Sequence, residues 1–247
     1  MITKEITSLQ HPFIKHLVNL RNDPHYRKEH NSVVIAGRKL LKECSPIKIL
    51  LREIDSAPFP LHTEETYFVT AAILKKVTGL ENPEPVAGVI DMPKTSDLKG
   101  MRFLLALDQV SDPGNLGTLL RTALSLGWDG AFLIDGCVDP FNDKAIRAAK
   151  GATFRLPLRR GSSEELRALI VSNKMHALVA DMKGTSLYAI EKHSPLLLIL
   201  GNESKGPSSF AKKHFLSVCI PMQGPMESLN VATAGAILMH HLRGAVP

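Results

Sequence analysis

FLLALDQVSDPGNLGTLLRTA, residues 103–123, decides the fold. Its first five residues, Phe103-Leu104-Leu105-Ala106-Leu107, are continuously apolar, the pattern of a strand buried on both faces of a parallel sheet. Asp112-Pro113-Gly114 then signals a turn, and Leu116, Leu119, Leu120 and Ala123 recur at helical spacing as a core stripe. Thr118, Arg121, Thr122 and Ser125 make a second, polar stripe at the same spacing, which spacing alone assigns to solvent. A strand that turns through glycine into a helix can cradle phosphate. Here no GxGxxG is present and no acid stands where a ribose-binding strand would supply one, so a dinucleotide fold is weakly supported.

The same alternation continues downstream. Strands are expected at 103–107, 131–134, 176–180, 195–200 and 216–220, and helices at 114–126, 142–149, 163–173 and 228–242, with a short one near 208–213. Leu196-Leu197-Leu198-Ile199-Leu200 repeats the doubly buried pattern. Parallel sheets bind ligands beyond the carboxyl ends of their strands, and the three most unusual loops follow Leu107, Leu200 and Ile220. One composite site is expected there.

The second loop, Gly201-Asn202-Glu203-Ser204-Lys205-Gly206-Pro207-Ser208, has the two glycines of a P-loop but Pro207 where that motif needs lysine, so nucleoside-triphosphate binding is excluded. The third, Ile220-Pro221-Met222-Gln223-Gly224-Pro225-Met226-Glu227-Ser228-Leu229-Asn230-Val231, is stiffened by two prolines. Ser228 is the expected N-cap of a helix burying Val231, Ala234, Gly235, Leu238 and Leu242, and small residues 232–236 allow a close helix approach. The sequence contains no HExxH, no zinc-spaced Cys/His set and no GxSxG elbow. No metal is expected.

At 247 residues the chain has length for one large or two ordinary domains. A polar, Pro/Gly-punctuated stretch at 91–100 marks the boundary, giving a first domain at 1–95 and a second at 101–247. The first reads as a small α/β unit, with helices at 11–21, 38–43 and 71–76 and strands at 33–36, 47–51, 67–69 and 86–90. Net charge is +6, and residues 144–160 carry six Lys or Arg and no acid, while residues 1–45 hold eight against four acids. Such patches favour a polyanion, although a solvated basic face accounts for the charge equally well. No membrane-length apolar run and no signal-like N-terminus occur, and the three scattered cysteines fit a reducing, cytoplasmic setting.

Taken in order, the three loops resemble the three motifs of the SpoU (TrmH-like) branch of the SPOUT RNA methyltransferases. An N-x-G-x-x-x-R core stands as Asn115, Gly117 and Arg121; a G-N-E loop as Gly201-Asn202-Glu203 with Gly206; and an I-P-M…S-L-N-V tail as Ile220-Pro221-Met222 and Ser228-Leu229-Asn230-Val231. The resemblance spans roughly 101–243, and VVIAGRKLLKE and PVAGVI are more loosely similar to the RNA-binding domain that often precedes it. Ser204 and Pro207 depart from the usual glycine and leucine.

The resemblance implies a trefoil-knotted α/β domain with a parallel sheet behind a small α/β RNA-binding domain, and a homodimer whose active site the partner completes. It also implies S-adenosylmethionine as cofactor and methyl transfer to a ribose 2′-hydroxyl of RNA, ribosomal RNA ahead of transfer RNA. The implied cofactor-binding residues are Leu200, Gly201, Asn202, Gly206, Ile220, Met222, Ser228 and Leu229, and the implied catalytic set is Arg121, Asn115, Glu203, Ser228 and Asn230. Arg38, Lys39, Lys144, Arg147 and Lys150 are the candidates to meet RNA phosphates. Arg121 stands at the position commonly described as the base, yet a guanidinium stays protonated, and stabilising an alkoxide suits its chemistry better. Two alternatives stay open at this point: a non-catalytic RNA-binding or ribosome-assembly protein on the same fold, and a methyltransferase acting on a base nitrogen.

Overall fold

The computed structural model describes residues 2–44, 46–61 and 63–244. The chain forms two compact units, residues 1–94 with 141–146 and residues 95–140 with 147–247. Met1, Ser45, His62 and residues 245–247, which fall in the expected domains, lie outside the described residues.

In the first unit β1 (Ile2–Ile6), α1 (Pro12–Asn22), α2 (Pro24–His30), β2 (Ser32–Ala36), α3 (Arg38–Glu43), β3 (Ile47–Glu53), β4 (Thr63–Val69), α4 (Ala71–Thr78) and β5 (Val86–Asp91) follow one another. They build a mixed five-stranded sheet in the order β1-β4-β3-β5-β2. Ile14, Leu17 and Leu20 of α1, spaced three apart, pack with Ile73, Leu74 and Val77 of α4 on the strand residues Val34, Leu51, Val69 and Val89. β1 and α2 went unpredicted. ITKEI offers one short polar alternation, and PHYRKEH has no apolar stripe; α2 is held instead by its Asp23 cap and by Arg27, whose Nη1 donates to the Leu20 and Arg21 carbonyls.

The second unit continues through β6 (Phe103–Leu107), α5 (Pro113–Ser125), β7 (Gly130–Ile134), the end of α6 (Asp143–Ala149), whose first four residues belong to the first unit, α7 (Ala152–Arg155), β8 (Leu158–Gly161), α8 (Ser163–Ser172), β9 (His176–Ser186), β10 (Leu196–Leu200), α9 (Ser209–His214), β11 (Leu216–Cys219) and α10 (Val231–Arg243). Its six strands are all parallel, in the order β11-β9-β10-β6-β7-β8. β6 and β10 are buried along their whole length at the centre of the sheet. Alternate residues serve opposite faces: Leu104, Ala106, Leu197 and Ile199 pack against Leu166, Leu169 and Ile170 of α8, while Leu200 meets α10. β8 and α7 lie in the stretch that the sequence presents as a basic run. Charge masked a four-residue edge strand there, LRRG, too short to show a period.

The register between β10 and β6 pairs Leu200 with Leu107, and the Asp108 amide donates to the Leu200 carbonyl at 2.8 Å. The loops after the two strands therefore leave the sheet side by side. α10 returns over them because Gly235 lets it approach: a Cβ there would stand 2.5 Å from Leu119 Cδ2 and 2.6 Å from Leu200 Cδ1. The expected closeness of the small-residue helix is thus a contact with α5 and β10.

Candidate active site

Asp112 caps α5 by accepting from the Asn115 amide at 2.7 Å, and Pro113 occupies the first turn, where its missing N–H costs nothing. The Asn115 side chain is thereby aimed out of the helix start. Its Nδ2 donates to Glu203 Oε1 at 3.2 Å, and its Oδ1 accepts from Asn230 Nδ2 at 3.1 Å. The three strand-end loops are joined through these three side chains.

Glu203 is the hub. Oε1 also accepts from the Asp112 amide at 3.0 Å, and Oε2 from the Ser111 amide at 3.1 Å and the Ser111 hydroxyl at 3.0 Å. Partial burial works against its charge, but the Glu203, Ser111 and Asp112 amides and the Asn115 side chain outweigh it and hold the carboxyl down to about 2. Asn202 shapes the loop around it: Nδ2 donates to the Gln109 carbonyl at 2.8 Å, while Oδ1 accepts from the Ser204 and Lys205 amides, both at 3.0 Å. Asn202 and Gly206 close the turn with reciprocal backbone bonds, and Gly206 supplies a φ of +68°. Ser204 contributes an amide that is used, and Pro207 interrupts neither bond, so both departures are accommodated. Asp108, buried beneath, accepts from the Ser208 amide at 2.8 Å and anchors the exit of the loop.

Asn230 caps α10, accepting from the Ala232 and Thr233 amides at 2.8 and 3.4 Å. This corrects the expected helix start at Ser228. The helix begins at Val231, and Ser228 is an exposed loop residue with no hydrogen bond to any described residue. Asn230 is preferred because its amide can cap and reach Asn115 at once, which a serine side chain is too short to do. Val231 and Ala234 are half-buried rather than buried, since they face a cavity.

That cavity, about 490 Å³, opens between the loops at 200–207 and 220–229 and the first turns of α10. Leu200, Gly201, Asn202 and Gly206 border it on one side, and Ile220, Met222, Ser228 and Leu229 on the other. Glu203 joins them; Asn115, Arg121 and Asn230 do not border it. Its size lies within the range of small-molecule sites, roughly 300–1,000 Å³. Gly201 is the tight point of the cradle, for any Cβ would collide with the backbone of Gly206 and Pro207. Apolar walls from Leu200, Val218, Ile220, Val231 and Leu238, with a few polar groups at the rim, fit a nucleoside carrying a short charged chain. The structure adds Ala180, Asp181 and Met182 of β9 and Lys212 of α9, which the sequence offered no motif to find.

Arg121 is exposed on α5 and makes no hydrogen bond or ion pair with a described residue. Of the polar stripe, Thr118 and Ser125 are exposed and Thr122 is half-buried, bonding back to the Thr118 carbonyl at 2.9 Å. Among the basic candidates, Arg38 is half-buried with its guanidinium 5.7 Å from the Phe59 ring, Lys39 is exposed on α3, Lys144 and Arg147 lie on α6, and Lys150 follows it. Arg159 and Arg160 are among the cations of the 144–160 run that the protein itself engages. Arg159 pairs with Glu165 at 3.0 Å, and Arg160 donates to the Cys137 and Val138 carbonyls, each at 2.9 Å.

Comparison with known proteins gives this geometry its relatives. The 23S rRNA (guanosine(2553)-2'-O)-methyltransferase RlmP of Bacillus subtilis is 36% identical over 98% of this chain and 100% of its own length. A 23S rRNA (adenosine(1067)-2'-O)-methyltransferase of Streptomyces laurentii is 30% identical over 76% of this chain and 75% of its own. The structure of an AdoMet-bound rRNA methyltransferase from Sinorhizobium meliloti superposes with a TM-score of 0.85 at 28% identity, covering 98% of this chain and 97% of that one. A family model described as the SpoU rRNA Methylase family matches residues 102–240, the stretch that carries all three tied loops, and the chain belongs to that family.

Proposed function

We propose that this protein transfers a methyl group from S-adenosylmethionine to a ribose 2′-hydroxyl of RNA, with ribosomal RNA as the substrate. The observation that carries the proposal is the cavity that the second and third family loops enclose, with the first loop tied to them by the Glu203–Asn115–Asn230 chain of hydrogen bonds. S-adenosylmethionine, when bound, supplies an electrophilic methyl on a sulfonium. The chain's own residues bind the cofactor, orient the groups around it and stabilise developing charge. Leu200, Gly201, Asn202, Gly206, Ile220, Met222, Ser228 and Leu229 hold the cofactor, with Gly201 and Gly206 offering backbone at close range. Glu203, ionised throughout the physiological range, keeps Asn115 fixed and places negative charge on the cavity wall where a cationic cofactor sits.

The 2′-hydroxyl loses its proton to solvent water as its oxygen takes the methyl, and the sulfonium departs as a neutral thioether. Arg121 remains a guanidinium and stabilises the developing alkoxide while orienting a neighbouring phosphate. Its absence from the cavity lining and its lack of a hydrogen-bond or ion-pair partner among the described residues support a homodimer in which each active site is finished by the other subunit. We extend the family likeness to a knotted path for the chain after Leu200 and to a first unit that binds RNA, with Arg38, Lys39, Lys144, Arg147 and Lys150 meeting phosphates. The location follows as cytoplasmic.

Titration calorimetry with S-adenosylmethionine, followed by nucleoside analysis of RNA treated with enzyme and cofactor, tests the proposal. Saturable binding and a single 2′-O-methylated nucleoside are expected. No binding at millimolar cofactor leaves a non-catalytic RNA-binding protein, and a base-methylated product moves the reaction to a nitrogen; either refutes the ribose assignment.

A further inference from the structure

The far wall of the cavity carries a charged pair that the three family loops do not include. Asp181 on β9 has a side chain only 12% exposed, and its Oδ2 lies 3.0 Å from Lys212 Nζ on α9; Oδ1 accepts from the Lys183 amide at 3.2 Å. Both residues border the cavity. A carboxylate has about four lone-pair positions; the two hydrogen bonds leave acceptor capacity on the cavity side. Burial disfavours its charge, but the Lys183 amide and Lys212 overcome that and hold it below the usual carboxylate range.

Strand order sets which part of the cofactor meets it. Asn115 and Arg121 follow β6, β10 lies next to β6, and β9 is one strand further out. The transferable methyl must face the β6 side, so Asp181 meets a part of the cofactor away from it, and with Lys212 already balancing its charge a neutral diol suits the carboxylate better than a second cation. We propose that Asp181 is a specificity-determining residue that accepts hydrogen bonds from the vicinal hydroxyls of the cofactor's ribose, with Lys212 keeping the carboxylate in place. A carboxylate matches a diol, because both hydroxyls can donate to its two oxygens. This inference rests on the cofactor assignment made above.

The test is binding rather than turnover. S-adenosylhomocysteine, methylthioadenosine (which lacks the amino-acid chain), adenosine and 2′-deoxyadenosine are titrated into the wild type, Asp181→Ala and Asp181→Asn, with thermal unfolding of each unliganded protein to establish folding. Asp181→Ala is expected to weaken S-adenosylhomocysteine and methylthioadenosine alike, by about tenfold to a hundredfold, the loss of hydrogen bonds to a charged acceptor. The preference of the wild type for adenosine over 2′-deoxyadenosine should disappear in the variant. A loss confined to S-adenosylhomocysteine would assign Asp181 to the amino-acid chain and overturn the proposal. So would unchanged affinity for all four ligands, which leaves a structural ion pair. If Asp181→Ala fails to fold, Asp181→Asn decides by the same comparison of adenosine with 2′-deoxyadenosine. Absence of binding to the wild type refutes the cofactor assignment itself, a separate outcome.

Discussion

Glu203 accepts four hydrogen bonds from Ser111, Asp112 and Asn115, and against partial burial these and its own backbone amide hold its carboxyl down to about 2 from an ordinary 4.5. A carboxylate whose folded-state pKa is lowered stabilises the protein fully above its unfolded value and loses that contribution as pH falls through the folded one. Thermal unfolding of wild type and Glu203→Gln should therefore differ by a constant amount above about pH 5.5 and converge between 4.5 and 2. The neutral plateau difference should be about 1–3 kcal/mol, since glutamine cannot accept at both oxygens and its amide faces a donor. Arg121 poses the opposite case, a cation with no hydrogen-bond or ion-pair partner among the described residues. Arg121→Ala is expected to abolish methyl transfer while leaving cofactor affinity within a few-fold in calorimetry; normal turnover would remove it from the mechanism. Sequence motifs identified Glu203, Asn115 and Asn230 as a set. They did not reveal which atoms meet, because contacts 88 and 115 positions apart depend on strand order rather than on spacing.

At the scale of the element, α10 begins two residues later than its serine suggests. Serine is a good cap anywhere a helix follows, and the local rule has no means of preferring a residue that must also reach another loop. Asn230→Ala should lower stability by about 1 kcal/mol through the cap alone, and further through the lost Asn115 contact. Ser228→Ala should leave the unfolding midpoint unchanged. Parallel denaturant titrations of the two variants check this, and equal losses would restore Ser228 as the cap. Elements legible in sequence were those with a strong period or continuous apolar run: α1, α5, α8, β6 and β10. β1, β8, α2 and α7 were missed because each is four to seven residues long and polar, and long-range pairing or caps hold it. Asp181 was missed for a related reason. It lies in the middle of an eleven-residue strand, β9, where the sequence ended a shorter one at 180.

For the molecule as a whole, the +6 charge is spread unevenly, and part of it is spent internally. Arg159 and Arg160 are bound to protein groups, so the effective basic surface is smaller than the run 144–160 implies. Lys144 and Lys150 are exposed, and each phosphate they neutralise should contribute roughly 0.7–0.9 to the slope of log affinity against log salt. Lys144→Gln and Lys150→Gln, measured by RNA binding over a salt series, should each flatten the slope by about that amount. An unchanged slope would return these lysines to the solvated face that composition alone allows.

The tie between Asn115 and Asn230 also has a consequence in time. Its two halves are 115 residues apart, and no shorter piece of chain contains both. At about 5–20 residues per second, synthesis delivers the second roughly 6–23 s after the first. Throughout that interval the nascent polypeptide carries Asn115 without the partner that its Oδ1 accepts from. The cavity, walled on one side by the loop at 220–229 and by α10, is thus among the last parts of the molecule to be completed.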